Sequence, residues 1–241
     1  MKEIAIIGST ASGKTALSLE IASKTNAVIL SLDSLCVYKE IEIASAKPTL
    51  KERGEIIHFG IDKVYPNEEF DVVKFIELYK KAKEYAIKNK KNLIIVGGTG
   101  FYLKALIDGL SKGIDSKIKL DISQLEAYEL LYSIDKEYMQ RIEKNDRYRI
   151  EKAYAIYKQT SLGPTQYFQK NPKIAVAKDL KIFEILWDKE ELKNRISQRT
   201  KIMINSGLID EVIFLEKKYT RAPNCMASIG IIETLEYLDG K

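Results

Sequence analysis

The sequence predicts an α/β fold: a parallel sheet flanked by helices, with a small all-helical insertion. Three observations predict it. The apolar run Ile4-Ala5-Ile6-Ile7 leads into the glycine-bearing stretch Gly8 to Thr15 and then into the helix-compatible segment Ala16 to Ala22, which reads as strand, turn and helix. Two more apolar runs, at 27–32 and 92–96, alternate with helical segments. After Asp108-Gly109-Leu110-Ser111-Lys112-Gly113 the alternation gives way to continuous helical periodicity.

The first element ends in Gly8-Ser9-Thr10-Ala11-Ser12-Gly13-Lys14-Thr15, a complete G-x-x-x-x-G-K-T loop. In a chain of this length a chance match is on the order of one in a hundred, and the sheet is therefore expected to be P-loop NTPase-like. Glycines let several backbone N–H groups turn inward and the following helix adds its positive end, so the loop favours an anion of diphosphate size. Lys14 can reach the outer phosphate, and the Thr15 hydroxyl can ligate Mg²⁺. A glycine turn with a surface lysine is the plainer alternative, and the loop by itself does not name a reaction.

Ala27 to Leu32 reads as a buried parallel strand ending at Asp33-Ser34. Ligands in open α/β sheets bind beyond the carboxyl ends of the strands, which aims Asp33 at the crevice of the loop. Asp33 can serve there as a general base or hold Mg²⁺ through water; a helix N-cap is the structural alternative. Phe70 to Lys90 is an amphipathic helix with Val72, Phe75, Ile76, Tyr79, Ala82 and Ala86 on one face. It leads to the strand Asn92 to Val96 and the turn Gly97-Gly98-Thr99-Gly100-Phe101-Tyr102, where Thr99 reads by default as a helix cap.

From about Ser116 to Thr160 no strand is expected, and Leu120, Leu125, Leu130, Leu131, Ile134, Met139, Ile142, Ile150, Ala153 and Ile156 are placed to line a helical bundle. Pro164 and Pro172 break the helices, and Ile182 to Trp187 returns to the sheet. The expected organisation is a core from 1–111, an insertion from 112–178 and a return to the core from 179–241. The insertion carries Arg141, Lys144, Arg147, Arg149 and Lys152 with Tyr148 and Tyr154 among them. That mixture suits phosphate contacts and base stacking, or simply a solvated helix face. A later helix from Lys189 carries Arg195 and Arg199.

Composition narrows the class. The 241 residues, 45% of them hydrophobic, can build one large α/β domain with an insertion. A net charge of +5 from 39 basic and 34 acidic residues is compatible with an RNA or polyphosphate partner and equally with a lysine-rich surface. Cys36 and Cys225 have neither metal-ligand nor disulfide spacing, which points to a reducing compartment. Without a signal-peptide pattern or an apolar run near 18 residues, the expected location is the cytoplasm, with no membrane partner. Nothing forces a dimer, and a monomer is expected.

The series G-S-T-A-S-G-K-T, D-S-L-C-V-Y-K and I-A-S-A-K-P resembles the tRNA dimethylallyltransferase family, whose members prenylate adenosine 37 of certain tRNAs. The family reads G-P-T-A-S-G-K-T, D-S-x-Q-V-Y and I-G-T-A-K-P at these places, and its G-G-T-x-x-Y turn corresponds to residues 97–102. Its N-D-x-x-R-x-x-R-A segment is similar to Asn145 through Ala153, and its R-I-x-x-R-x-x-x-M-x-x-x-G-L-x-x-E-V run to Arg195 through Val212. The end of the chain, Ser228 to Gly240, is similar to I-G-Y-x-E…Y-L-x-G.

The resemblance implies dimethylallyl diphosphate and the tRNA anticodon stem–loop as substrates, with Mg²⁺ as cofactor. It implies Asp33, Thr99, Lys14 and Arg199 as catalytic residues, with Gly8 to Thr15 on the diphosphate. It also implies Asp33, Ser34, Leu35, Cys36, Thr99, Lys119, Arg149 and Lys152 as tRNA contacts. Departures are Ser9 for proline, Cys36 for glutamine, Phe59 for the second of two histidines after His58, and Lys152 for arginine, which keeps charge but loses bidentate geometry. The family's basic tail with R-Q-x-T-W does not follow, and its loss is expected to weaken RNA binding. A P-loop small-molecule kinase and a non-catalytic nucleotide- or RNA-binding remnant are the competing expectations.

Overall fold

The computed structural model describes residues 1–114 and 118–241, so the expected start of the helical stretch at Ser116 lies outside the described residues. The chain divides into two compact units, residues 1–104 with 177–241, and residues 105–176.

The first unit is a five-stranded parallel sheet. Strands β1 (Glu3–Gly8), β2 (Ala27–Leu32), β3 (His58–Phe59), β4 (Asn92–Gly97) and β5 (Lys181–Ile185) lie in the order β3-β2-β4-β1-β5. Apolar residues fill both faces of the central strands, and β2 is buried along its whole length, as a strand covered by helices on two sides requires. Register pairs Ile4 with Ile94, Ala27 with Asn92 and Leu32 with Gly97. It therefore brings the carboxyl ends of β1, β2 and β4 to one edge. Gly97 is obligatory there: a Cβ would stand 2.1 Å from the Leu32 carbonyl oxygen.

Helix α1 (Lys14–Thr25) follows β1, α2 (Leu50–Arg53) is a single turn before β3, and α3 (Val72–Lys88) precedes β4. In α3 the residues Phe75, Ile76, Tyr79, Ala82 and Ala86 are buried, while Val72 is half-buried at the first turn. Asp71 caps this helix by accepting the Lys74 N–H. Tyr79 reaches through to donate its hydroxyl to Glu3 at 2.6 Å, and Lys83 pairs with the same carboxylate at 2.9 Å. Helix α4 (Gly100–Asp108) runs from the first unit into the second.

The return to the sheet is shifted from expectation. Strand β5 closes at Ile185, is exposed over its first four residues as an edge strand, and leaves Leu186 and Trp187 beyond it.

The second unit holds α5 (Gln124–Ile134), α6 (Lys136–Met139), α7 (Arg147–Thr160) and α8 (Pro164–Lys170). Ser123 and Glu126 form a reciprocal cap on α5. The core is Ala127, Tyr128, Leu131, Met139, Ile142, Ile150, Ala153 and Tyr154, with Leu120 and Leu130 at its margin. Three expected core residues are not in it: Leu125 and Ile134 are 53% and 37% exposed, and Ile156 is buried outside this cluster. At 100° per residue Leu125 lies about 160° from Ala127, so once Ala127, Tyr128 and Leu131 face inward Leu125 faces out. Counting only large aliphatic residues missed the tyrosines that fill this core.

The first unit is completed by α9 (Lys189–Asn205), α10 (Leu208–Tyr219), a 3₁₀ turn (Asn224–Ala227) and α11 (Ile231–Leu238). Val212, Leu215, Ile231 and Leu235 pack with Val37, Tyr38 and Ile41 in a second core cluster. This cluster seats the segment that follows β2.

Candidate active site

The loop after β1 is shaped by three left-handed residues, Gly8, Ala11 and Gly13, at φ of 152°, 61° and 90°. Gly13 precedes α1 and gives it no side-chain cap, so N–H groups of the first helical turn are left for a ligand. Lys14 Nζ donates to the Gly8 and Ser9 carbonyls at 2.8 and 2.6 Å, which folds the ammonium under the loop. Burial and, second, Arg199 lower the Lys14 pKa, with Asp33 opposing. Thr15 is exposed at the start of α1.

At the end of β2, Asp33 Oδ1 accepts the N–H groups of Leu35 and Cys36 at 2.8 and 3.1 Å. The carboxylate thus closes a turn instead of capping a helix, and its other oxygen is not used in that turn. At the end of β4, the Thr99 N–H donates to the Leu32 carbonyl, and Thr99 Oγ1 accepts the Ser34 N–H, both at 3.2 Å. The hydroxyl therefore ties the ends of β2 and β4 together.

A cavity of about 200 Å³ opens between these ends. Gly8, Ser9, Thr10, Lys14, Thr15, Asp33 and Arg199 form its polar wall, and Ile29, Ile61 and Val96 its apolar one, with Ser31, Cys36, Ser45 and His58 between. Arg199 also lines a wider cleft of about 870 Å³ bounded by α1, the 42–49 segment and α9. It has no hydrogen-bond or ion-pair partner among the described residues.

The His58 Nδ1 sits 2.7 Å from the Ile56 carbonyl, so it carries the proton, and burial lowers the imidazole pKa. A neutral ring with Nε2 as acceptor results. The Cys36 thiol, 7% exposed, is pushed upward in pKa by burial and then by Asp33, and donates weakly to Ser45 O at 3.7 Å.

Two supporting residues lie in quoted motifs, but nothing in the sequence signals what they hold. Lys47, whose side chain is 1% exposed, donates to Tyr38 O at 3.0 Å and pairs with Glu42 at 3.0 Å and with Asp62. Glu211 on α10 accepts three backbone N–H groups, from Glu42 and Ile43 at 2.8 Å and from Ala44 at 2.9 Å. Together they fix the 42–48 segment that carries Ser45, Ala46 and Pro48 to the cavity. The G-L-x-x-E-V pattern contains Glu211, but nothing in a linear pattern tells that its partners lie about 168 residues away.

Of the other expected contacts, Ser34 is exposed, whereas Leu35 and Cys36 are buried. In the helical unit, Lys119 is exposed, Arg149 pairs with Asp146, and Lys152 lies over the Tyr148 ring at 5.5 Å. Tyr148 is 69% exposed. Tyr154 is not available for stacking: it is 1% exposed and its hydroxyl bonds to Asp121.

A magnesium ion fits this donor set. Among the described residues no three His, Cys, Asp or Glu side chains cluster as a metal cage. A lone hydroxyl and a nearby carboxylate beside a phosphate cradle suit a cation that takes the rest of its shell from phosphate and water.

A family model described as IPP transferase matches residues 36–241. The chain is 82% identical to the tRNA dimethylallyltransferase of Aliarcobacter butzleri over all of its length and 83% of that protein's. It is 51% identical to the tRNA dimethylallyltransferase of Sulfurimonas denitrificans, covering 83% of it. Among solved structures, a eukaryotic dimethylallyltransferase acting on tRNA superposes with a TM-score of 0.86 at 28% identity, over 100% of this chain and 64% of that one. A tRNA isopentenylpyrophosphate transferase from Staphylococcus epidermidis superposes at 0.69 with 33% identity, covering 98% and 80%. Among the described residues no helix is long and apolar enough to cross a membrane.

Proposed function

This chain belongs to the IPP transferase family, and on that premise we propose the reaction its site performs. The chain transfers a dimethylallyl group from dimethylallyl diphosphate to the N6 amine of adenosine 37 in the tRNA anticodon loop, releasing diphosphate. The observation that carries this reading is the convergence of the P-loop, Asp33, Thr99 and Arg199 at one edge of the sheet around a cavity with one polar and one apolar wall.

The loop amides, Lys14 and Arg199 bind the diphosphate and neutralise the charge that grows on it as the allylic C–O bond breaks. When bound, Mg²⁺ would be held by the Thr15 hydroxyl and the substrate's phosphate oxygens and would add to that neutralisation. The N6 lone pair forms the new bond to the allylic carbon, the electron pair of the broken bond leaves with diphosphate, and the Asp33 oxygen outside the turn takes the N6 proton. An adenine amine is a weak nucleophile, so alignment contributes more than base strength. Thr99 places the Asp33-Ser34 turn and hydrogen-bonds the leaving oxygen. Ile29, Ile61 and Val96 face the prenyl chain.

The target base must leave its stack to enter such a cavity, which costs least in a loop. The basic, aromatic face of α7, with Arg149, Lys152 and Tyr148, together with Lys119, contacts the anticodon stem–loop. Ser34, Leu35 and Cys36 form the turn that meets the base. We place the reaction in the cytoplasm and assign it to a monomer, since one copy supplies every residue of the cavity.

The test is label transfer from dimethylallyl diphosphate to unmodified tRNA with Mg²⁺, using wild type and Asp33→Asn, with an ATP arm. Label in tRNA that falls at least a hundredfold in the variant supports the assignment. Phosphate transfer from ATP to an acceptor, without prenylation, would replace it with a kinase.

A further inference from the structure

We infer that Trp187 and Arg195 are positioning residues that hold the phosphate loop in its anion-binding shape, a role that rests on the diphosphate reading above. Neither was predicted to touch the loop, and both do. Trp187 Nε1–H donates to the Ser12 carbonyl at 2.9 Å, and Arg195 Nε–H donates to the Ala11 carbonyl at 2.8 Å. The Arg195 guanidinium lies 4.2 Å from the centre of the Trp187 ring. The two residues therefore form one stacked unit that grips consecutive carbonyls of the loop from outside.

What they grip matters. Ala11 has a φ of 61°, a left-handed conformation that costs a residue with a Cβ about 1 kcal/mol or more. A loop free to relax would turn that peptide back, and the N–H groups that face an anion would turn with it. Holding the Ala11 and Ser12 carbonyls outward sets the N–H groups of Ser12 and Gly13 on the opposite side, because the C=O of one residue and the N–H of the next oppose each other in a single trans peptide plane. The Ser12 N–H closes the turn on the Ser9 carbonyl at 3.2 Å, and the Gly13 N–H is left for the anion. Lys14 supports the same shape from within, on the Gly8 and Ser9 carbonyls. The loop is thus held on its inner side by its own lysine and on its outer side by β5's continuation and α9.

Position on α9 adds a second consequence. Arg195 and Arg199 are four residues apart and share one helix face. Arg199 lines the cavity, so the contact that shapes the loop also sets the distance between the loop and the arginine across from it. Losing the clamp is expected to weaken diphosphate binding twice, through the amides and through Arg199. The bound tRNA has no part in either effect.

The experiment uses the full chain with inorganic diphosphate and Mg²⁺ as probe, followed calorimetrically and by the fluorescence of Trp187, the only tryptophan. Arg195→Met and Trp187→Phe are each expected to weaken diphosphate binding about tenfold, equivalent to about 1.4 kcal/mol, and to raise KM for dimethylallyl diphosphate in step. KM for tRNA should change less than threefold. Arg195→Lys, which keeps the charge and one donor, should recover part of the loss. A purely architectural role would lower Tm without this split between the two substrates. Wild-type affinity in both folded variants overturns the clamp and leaves the transferase reading standing. Failure of the wild-type chain to bind diphosphate overturns both.

Discussion

Replacing Glu211 with alanine tests how much of the site depends on a carboxylate that never touches it. The side chain accepts three backbone N–H groups from residues 42–44 at 2.8 to 2.9 Å. Hydrogen bonds to a charged group contribute about 1.5–3 kcal/mol each, but they are not additive. The Glu42 N–H lies in an exposed part of the segment and regains water, while those of Ile43 and Ala44 are part-buried. Counting the two part-buried bonds gives a loss of about 3 kcal/mol. For a unit of this size that lowers Tm by roughly 6–12 °C. Glu211→Gln keeps the shape and one acceptor oxygen but turns an NH₂ toward N–H donors, so about half the loss is expected. The assay is thermal unfolding by circular dichroism alongside KM for dimethylallyl diphosphate, because Ser45, Ala46 and Pro48 line the cavity. An alanine variant within 2 °C of wild type, with unchanged KM, would refute the reasoning.

Three more outcomes are expected. Burial holds the His58 pKa below its ordinary 6.5, so the unfolded chain takes up this proton first; its contribution to stability is complete above about pH 7 and falls as pH drops through 6.5 toward the folded-state value. The lone histidine's NMR titration checks this, and a midpoint at or above 6.5 contradicts it. Tyr148→Ala should weaken tRNA binding about tenfold by loss of stacking, whereas Tyr154→Phe should cost about 1 kcal/mol of stability and leave affinity alone; filter binding that reverses this order places the RNA face elsewhere. Gly97→Ala drives a Cβ to 2.1 Å from the Leu32 carbonyl and should abolish native folding, so a variant that melts like wild type would mean the strand ends yield more than their pairing allows.

Much of the first unit was legible because its signals are local. Residues 27–30 and 93–96 are short apolar runs bounded by turn signals, as a strand buried on both faces requires, and the face of α3 repeats its apolar residues at helical spacing. Strand β3 escaped notice because two residues carry no period. In the helical unit the period was clear but its phase was not: aliphatic residues alone pointed at Leu125 and Ile134, while Tyr128 and Tyr154 fill the interior. Tyr154 was left open between base stacking and a solvated helix face, and it is neither, since an aromatic ring among basic residues looks alike in sequence whether it faces solvent or packs into a core.

For the site, the contiguous motif located Gly8 through Thr15 and the end of a buried strand aimed Asp33 at the same crevice, whereas Thr99, read from the residues as a helix cap, joined them only through the resemblance. What stayed hidden is what holds these residues still. Glu211, Trp187 and Arg195 act on backbone carbonyls and amides far away in sequence and Lys47 on a carbonyl nine residues back, and a backbone partner leaves no mark on residue type. His58 entered only through the family's pair of histidines; its place in the cavity wall follows from the pairing of His58 with Ile29, not from its neighbours.

The strand order has a consequence for synthesis. Strand β1 is made first yet occupies an interior place, with β4 on one side and β5 on the other. A chain leaving the ribosome therefore carries an unpaired hydrogen-bonding edge from Gly8 until Ile185, 177 positions later, is available. At about 5–20 residues per second that interval lasts roughly 10–35 s. The residues translated in the meantime include the whole helical unit, whose contacts are short-range and close fastest. Vectorial folding thus completes the second unit before the sheet of the first, and the phosphate loop gains its outer support only when Trp187 and Arg195 emerge.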